Sequence, residues 1–265
     1  ERVVYAAGLS GREIREATEE TLTNRFELIR GLFSARAPRA DKSLMPFGGR
    51  SAFLAPTALL DVLLPQRVPQ DFEALEIPLK IVASDFYALE SVVFSSGPLR
   101  PAVAASMSLP VIFEPVLIEG RSLVDGGLTN PLPFDLVTGK ADLTVAVDVS
   151  GTPTRRPGQT MPKAWEALFA SNFIFERTII REKLRHRQPD LYIDAGTSRF
   201  QILDFLKIDE ILAAAEPAKE RAKAQLARML EAETLPTAEA GEPASERPAP
   251  KARRRALLKR KRTAK

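Results

Sequence analysis

The chain has 265 residues, no cysteine and a single histidine, His186. Without cysteine there is no disulfide, no thiolate nucleophile and no Cys-ligated metal, and the redox compartment stays undecided. One histidine excludes a His-rich metal site and leaves a Ser-His-Asp triad a single candidate. No metal and no cofactor are expected. No apolar run reaches the length of about 18 residues that would read as a membrane span. The chain opens on Glu1 rather than Met and shows no signal peptide.

Apolar residues make up 45% of the chain, the ordinary share for a globular protein, and the length suffices for one large domain with a real core. The net charge of +4 hides an asymmetry. Residues 251–265 carry nine Lys and Arg and no acid, which leaves residues 1–250 at −5. The body is mildly acidic and the tail strongly basic. From Thr234 onward Pro, Ala and Glu dominate, a composition that cannot bury enough surface to fold. The expected division is a folded domain over 1–233 and a disordered tail over 234–265, basic from 251.

No internal repeat is visible. Residues 1–7 read as a helix stopped by Gly8. It has no cap and is too short to be stable alone, so its start is expected before Glu1. Ser10 and Glu13 form a capping-box pattern that opens a second helix. A loop is expected over 35–55, and a short helix over 57–64 stopped by Pro65. Strands are expected over 79–84 and 91–95, and a small-residue helix over 101–107. The stretches 116–118 and 122–124 suggest a hairpin around Glu119 and Gly120. Another helix can start over 133–137. The near-continuous apolar run 143–149 suits a strand covered on both faces. A polar loop over 152–162 precedes a long amphipathic helix over 163–187 and a short strand over 191–194. The last helix, 207–231, carries Pro217, from which a break or kink is expected. Alternating strands and helices give an α/β fold, with helices on both faces of a mixed sheet.

The most informative motif is Asp125-Gly126-Gly127, at the end of the apolar run 121–125 and before Leu128 to Pro133. A carboxylate at the end of a buried strand, followed by two glycines, is a place where a base meets a substrate, because the backbone there is free of side chains. The same tripeptide is also ordinary turn chemistry.

The series Ile77 to Asp85, Phe94 to Pro98, Ala104 to Pro110 and Leu123 to Pro133, in that order, resembles the patatin-like phospholipases, acyl hydrolases with a Ser-Asp dyad. Pro189 to Asp194 and Leu203 to Phe205 resemble that family's C-terminal strand and turn, and the likeness covers roughly 1–230. It implies a three-layer sandwich, a mixed central sheet with helices on both faces. It implies a serine acyl hydrolase acting on lipid or other carboxyl esters, with Asp125 as proton acceptor in the motif Asp125, Gly126, Gly127. The family's Gly-rich oxyanion loop and Gly-x-Ser-x-Gly elbow have no match here. Residues 3–10 resemble the helix just after the elbow, which puts the expected serine about five residues upstream of Glu1. The chain is therefore expected to be N-terminally truncated, as a cut chain or as the product of a gene that has lost its first catalytic segment, and inactive as it stands. The other open reading is a noncatalytic protein that keeps the fold and binds membrane or nucleic acid.

Several further residues have two roles open to them. Ser10 reads as a helix cap rather than a nucleophile. Ser95 and Ser96 read as a strand-to-turn segment. Ser106 and Ser108 either line the pocket or pack a helix, and Asp85 either orients the site or bonds a loop. His186, between Arg185 and Arg187, reads as solvated surface near a helix end. Leu44 to Phe47, with Phe53 and Leu54, is a candidate lid or lipid patch, with buried core as the competing reading. The tail 251–265 has three readings open: peripheral contact with anionic membrane, nucleic acid as the less favoured partner, or a merely solubilising disordered tail. The expected location is cytoplasmic or peripheral to a membrane.

Overall fold

The computed structural model describes residues 2–23, 54–110, 112–152, 160–162, 164–200 and 207–234. The candidate lid residues 44–47 and 53, the segment 203–205 and the tail 235–265 lie outside them. By contact pattern the chain divides into Glu1–Leu226 and Ala227–Lys265.

Elements follow the sequence closely. Helix α1 (Arg2–Ala6) ends before Gly8, and α2 (Gly11–Thr23) is opened by the expected box. The Glu13 N–H donates to Ser10 Oγ at 3.3 Å, and the Ser10 N–H donates to Glu13 Oε2 at 2.8 Å. Helix α3 (Pro56–Leu63) starts on a proline, which lacks the N–H that a first turn leaves unpaired anyway. Strand β1 (Ile81–Asp85) is buried along its whole length. It pairs antiparallel with β2 (Glu90–Phe94) on one side and β4 (Arg121–Asp125) on the other. Strand β3 (Val116–Ile118) pairs with β4 through a two-residue turn. Glu119 and Gly120 there have φ of 50° and 77°, the left-handed pair that matches strand twist in a tight hairpin. The result is a four-stranded antiparallel sheet in the order β2-β1-β4-β3.

Helix α4 (Leu99–Ser106) packs on this sheet with its small side chains. Ala105, Ala83 and Leu123 form one buried cluster, flanked by Val92, Phe94, Val116 and Ile118. Leu99, Ala102 and Ile81 join Val3, Val4, Leu9, Val68 and Phe72 in a second. The alanines let helix and sheet approach closely, and Leu99 and Leu123 are wholly inaccessible.

Beyond β4 the chain makes two short 3-10 turns, Gly126–Leu128 and Phe134–Leu136. The second stands where a helix is expected over 133–137. Strand β5 (Val145–Asp148) then pairs parallel with β6 (Leu191–Asp194), connected by the long helix α5 (Ala164–His186). Leu132, Phe134, Ala146 and Ile180 pack between these elements. Strand β5 differs from the expectation of a strand covered on both faces. Ala146 and Asp148 are buried, but Val145, Val147 and the following Val149 are exposed. Both pairing senses therefore occur, and strands alternate with helices in an α/β fold. The last helix, α6 (Ile208–Thr234), continues through Pro217 where a break or kink is expected. Proline removes one backbone bond without ending the helix.

Truncating Leu123 to alanine is expected to cost about 3 kcal/mol, because a cavity opens beneath β4. The exposed Leu117 on neighbouring β3 is the control, with an expected change within about 0.5 kcal/mol. Urea denaturation of the two variants compares them.

Candidate active site

Asp125 is the last residue of β4, and its partner across the ladder is Ala83 of β1. Its main chain is fastened on both sides. The Asp125 N–H donates to the Ser108 carbonyl at 3.0 Å. The Asp125 carbonyl accepts from Ser84 Oγ at 2.8 Å. Behind Ser84 stands a run of hydroxyls. Ser84 Oγ and Thr129 Oγ1 lie 2.8 Å apart, and Ser91 Oγ donates to Thr129 Oγ1 at 2.9 Å. Ser108 is itself fully buried, with Oγ donating to the Ala104 carbonyl. This settles its role as packing and anchoring rather than pocket lining.

The carboxylate is held at one oxygen. Asp125 Oδ1 accepts from the Gly127 N–H at 2.7 Å, a cap on the 3-10 turn that follows. Among the described residues no other hydrogen bond reaches the Asp125 side chain, and no polar side-chain atom is shut away without a partner, so none of them covers Oδ2. Burial pushes the Asp125 carboxyl above its ordinary value, and the Gly127 N–H draws it back only in part.

The two glycines are needed for a reason the sequence reading did not contain. A Cβ on Gly126 would stand 2.1 Å from the Val82 carbonyl oxygen of β1. A Cβ on Gly127 would stand 3.1 Å from Asp125 Oδ1 and 3.1 Å from Glu176 Oε1. Gly126 lets the chain turn under β1, and Gly127 leaves room for two carboxylates at once.

Glu176, on α5, was not foreseen. Its Oε1 accepts from Asn172 Nδ2 at 2.9 Å. Burial, then the charges of Asp125 and Asp148, push its carboxyl up to about 7, against the Asn172 bond and the Arg177 charge. One stripe of α5 supplies the neighbouring anchors. Arg177 Nη1 donates to Asp148 Oδ2 at 2.8 Å and its Nη2 to the Ser150 carbonyl at 3.2 Å. Tyr192 of β6 also donates to Asp148 Oδ2, at 2.6 Å. Burial alone would raise the Asp148 carboxyl, but bonds from Ser150 and Tyr192 and the Arg177 charge hold it low. Burial and the same bond push the Tyr192 hydroxyl up to about 12. Further along, Lys183 Nζ donates to Asp135 Oδ1 at 2.5 Å, to the Leu132 carbonyl at 3.1 Å and to Asn130 Oδ1. The Asn130 to Pro133 segment is thereby pinned to α5. The signal was in the sequence. Asn172, Glu176, Ile180, Lys183 and Leu184 recur at helical spacing, so Glu176 shares a stripe with the buried Ile180.

The remaining candidates sit elsewhere. Ser10 caps α2. Ser95 and Ser96 follow β2 at the strand-to-turn junction. Asp85 Oδ1 accepts from the Tyr87 and Ala88 N–H groups, which makes it the cap of the β1–β2 turn. His186 is exposed and lies 3.3 Å from Glu182 Oε1. Among the described residues no group of three or more His, Asp or Glu is arranged to hold a metal, and no helix is long and apolar enough to cross a membrane.

An α/β domain with a half-buried aspartate at the exit of an inner strand, followed by one sterically required glycine and a second in a tight spot between two carboxylates, is therefore the scaffold. The profile of the patatin-like phospholipase family matches residues 3–138, half of the chain, and the chain belongs to that family. Uncharacterized NTE family proteins from Mycobacterium bovis and from two strains of Mycobacterium tuberculosis are each 36% identical to it over 126 residues. The match covers 46% of this chain and 35% of each relative, so the chain spans about a third of their length. The family match ends before β5, so the α5 stripe and Glu176 lie beyond it.

Two outcomes follow from this geometry. Gly126→Ala is expected to cost about 3 kcal/mol through overpacking against β1, measured by thermal denaturation, with Gly11→Ala, where a Cβ meets nothing within 4 Å, as the mild control. Glu176 sets a pH dependence. Its folded value of about 7 lies above the ordinary 4.5, so the folded state keeps the proton through that window. The resulting stability is full below the ordinary value and is lost as pH rises through about 7. Glu176→Gln is expected to flatten that decline in a melting series across neutral pH.

Proposed function

We propose that this chain carries the base half of a Ser-Asp dyad in a serine acyl hydrolase acting on lipid or other carboxyl esters. The observation that carries the reading is Asp125. It is fixed through its main chain on both sides, bonded at Oδ1 and open at Oδ2, with a proton affinity raised by burial. A carboxylate so disposed accepts a hydroxyl proton better than an ordinary aspartate does, and in a dyad it takes the serine proton without a histidine.

The serine would attack the ester carbonyl while Asp125 Oδ2 receives its proton. Backbone N–H groups would stabilise the oxyanion. The alcohol leaves with that proton. Water, deprotonated by Asp125, then attacks the acyl-enzyme; the acyl–serine bond breaks, the serine oxygen takes the proton back from Asp125, and the carboxylic acid is released. The nucleophile and oxyanion loop are proposed to come from sequence preceding Glu1. Among the described residues, no serine hydroxyl is bonded to the Asp125 carboxylate. The remote, exposed His186 adds nothing to this chemistry.

The test is hydrolysis of short-chain carboxyl esters by the given chain and by a form extended upstream of Glu1. Activity is expected only in the extended form, and Asp125→Asn in that form is expected to lose about 10²–10⁴-fold in turnover. Equal hydrolysis by both forms would overturn the placement of the nucleophile. Undiminished activity in Asp125→Asn would remove the base. Absence of hydrolysis from both forms would favour the noncatalytic reading.

A further inference from the structure

Asp125 and Glu176 share one glycine. Their oxygens Oδ1 and Oε1 flank the space that a Cβ on Gly127 would fill, each 3.1 Å from it. Three features make this more than chance proximity. Asp125 is immobilised at the end of β4 by the Ser108 and Ser84 bonds. Glu176 is oriented one turn along α5 by Asn172. Arg177, whose charge acts on Glu176, is engaged by Asp148 and the Ser150 carbonyl. Among the described residues neither member of the pair is in a salt bridge.

We propose that Glu176 is a positioning residue for Asp125, whose own ionisation strengthens the Asp125 carboxylate as a proton acceptor across Gly127. This rests on the reading of Asp125 as the base. The physical argument is like-charge coupling in a partly desolvated site. Among the described residues, the groups that face Glu176 are Asp125 from the end of β4, Asp148 from β5, and Asn172 and Arg177 from α5 itself. Tyr192 of β6 reaches it only through Asp148. Asp125 is taken as the member that ionises first, since its charge is one of those against which Glu176 titrates. Burial first, and then the charges of Asp125 and Asp148, push the Glu176 carboxyl up to about 7. Below that pH the pair carries one negative charge. Above it the pair carries two, and each raises the other's affinity for a proton. The base therefore gains strength as pH rises through neutrality, a behaviour that an isolated aspartate lacks.

The deciding experiment is a pH titration of the side-chain carboxyl ¹³C resonances of the full chain, which needs no ester hydrolysis. Glu176 is expected to titrate at about 7, and the Asp125 resonance is expected to show a second inflection at the same pH. Glu176→Gln should abolish that inflection while leaving the amide spectrum in place. Asp125→Asn should lower the Glu176 midpoint by about one unit, leaving it above ordinary because burial remains. An Asp125 resonance without the second inflection, or one that keeps it in Glu176→Gln, overturns the proposal. Should Asp125→Asn fail to fold, Glu176→Gln alone decides. In the extended, active form, kcat/KM should rise through about pH 7 in the wild type and lose that rise in Glu176→Gln. Coupled titration in a protein without hydrolytic activity would sink the dyad and leave the coupling. Uncoupled titration with Asp125-dependent hydrolysis would sink only the role of Glu176.

Discussion

The close passage of Gly126 beneath the Val82 carbonyl is the constraint on which the site depends. Strand β1 is buried throughout and bonded on both edges, so it cannot move aside. The chain leaving β4 must turn immediately, and only a residue without Cβ fits at 2.1 Å from that oxygen. The turn brings the Gly127 N–H onto Asp125 Oδ1 and delivers the following segment to α5. Aspartate, turn and helix contacts are thus consequences of one steric fact. The Ser84 and Ser108 bonds then fix the backbone of Asp125 to its two neighbours.

A second layer of order comes from α5. Its inward stripe exchanges charge and hydrogen bonds with three separate loops and strands. Lys183 holds the Asn130 to Pro133 segment, Arg177 holds the buried Asp148, and Asn172 sets Glu176. Removing one partner of a buried ion pair leaves an uncompensated charge, a loss of about 3 kcal/mol. The Asp148 carboxylate, fully enclosed, is the group for which that matters most. Polar groups thereby specify where α5 sits, while Ile180 and Leu184 supply its apolar contact.

Much of this was legible in the sequence, for local reasons. The Ser10–Glu13 box, the Glu119-Gly120 hairpin and the strand 191–194 are set by residues within a turn or a period of two. The exit of Asp125 from a buried strand followed from the apolar run before it. What the sequence reading missed depends on contacts distant along the chain. The need for Gly126 lies in Val82, more than forty residues earlier. Glu176 read as one charged residue among many on an amphipathic helix, and only the stripe it shares with Ile180 marks it. The apolar run around β5 promised cover on both faces, yet alternate valines stand exposed, because a run of apolar residues reports propensity and not neighbours. Pro217 inside α6 shows the opposite limit, a residue that could have broken the helix and does not.

Membership of the patatin-like phospholipase family and the setting of Asp125 both support the proposed role, acceptance of a serine proton by a carboxylate without histidine. The most direct measurement is the rate at which a fluorophosphonate ester phosphonylates the extended protein, followed by intact mass. One adduct is expected on a serine upstream of Glu1, formed rapidly in the wild type, as rapidly in His186→Ala, and far more slowly in Asp125→Asn. Labelling of Asp125→Asn at the wild-type rate would contradict the account.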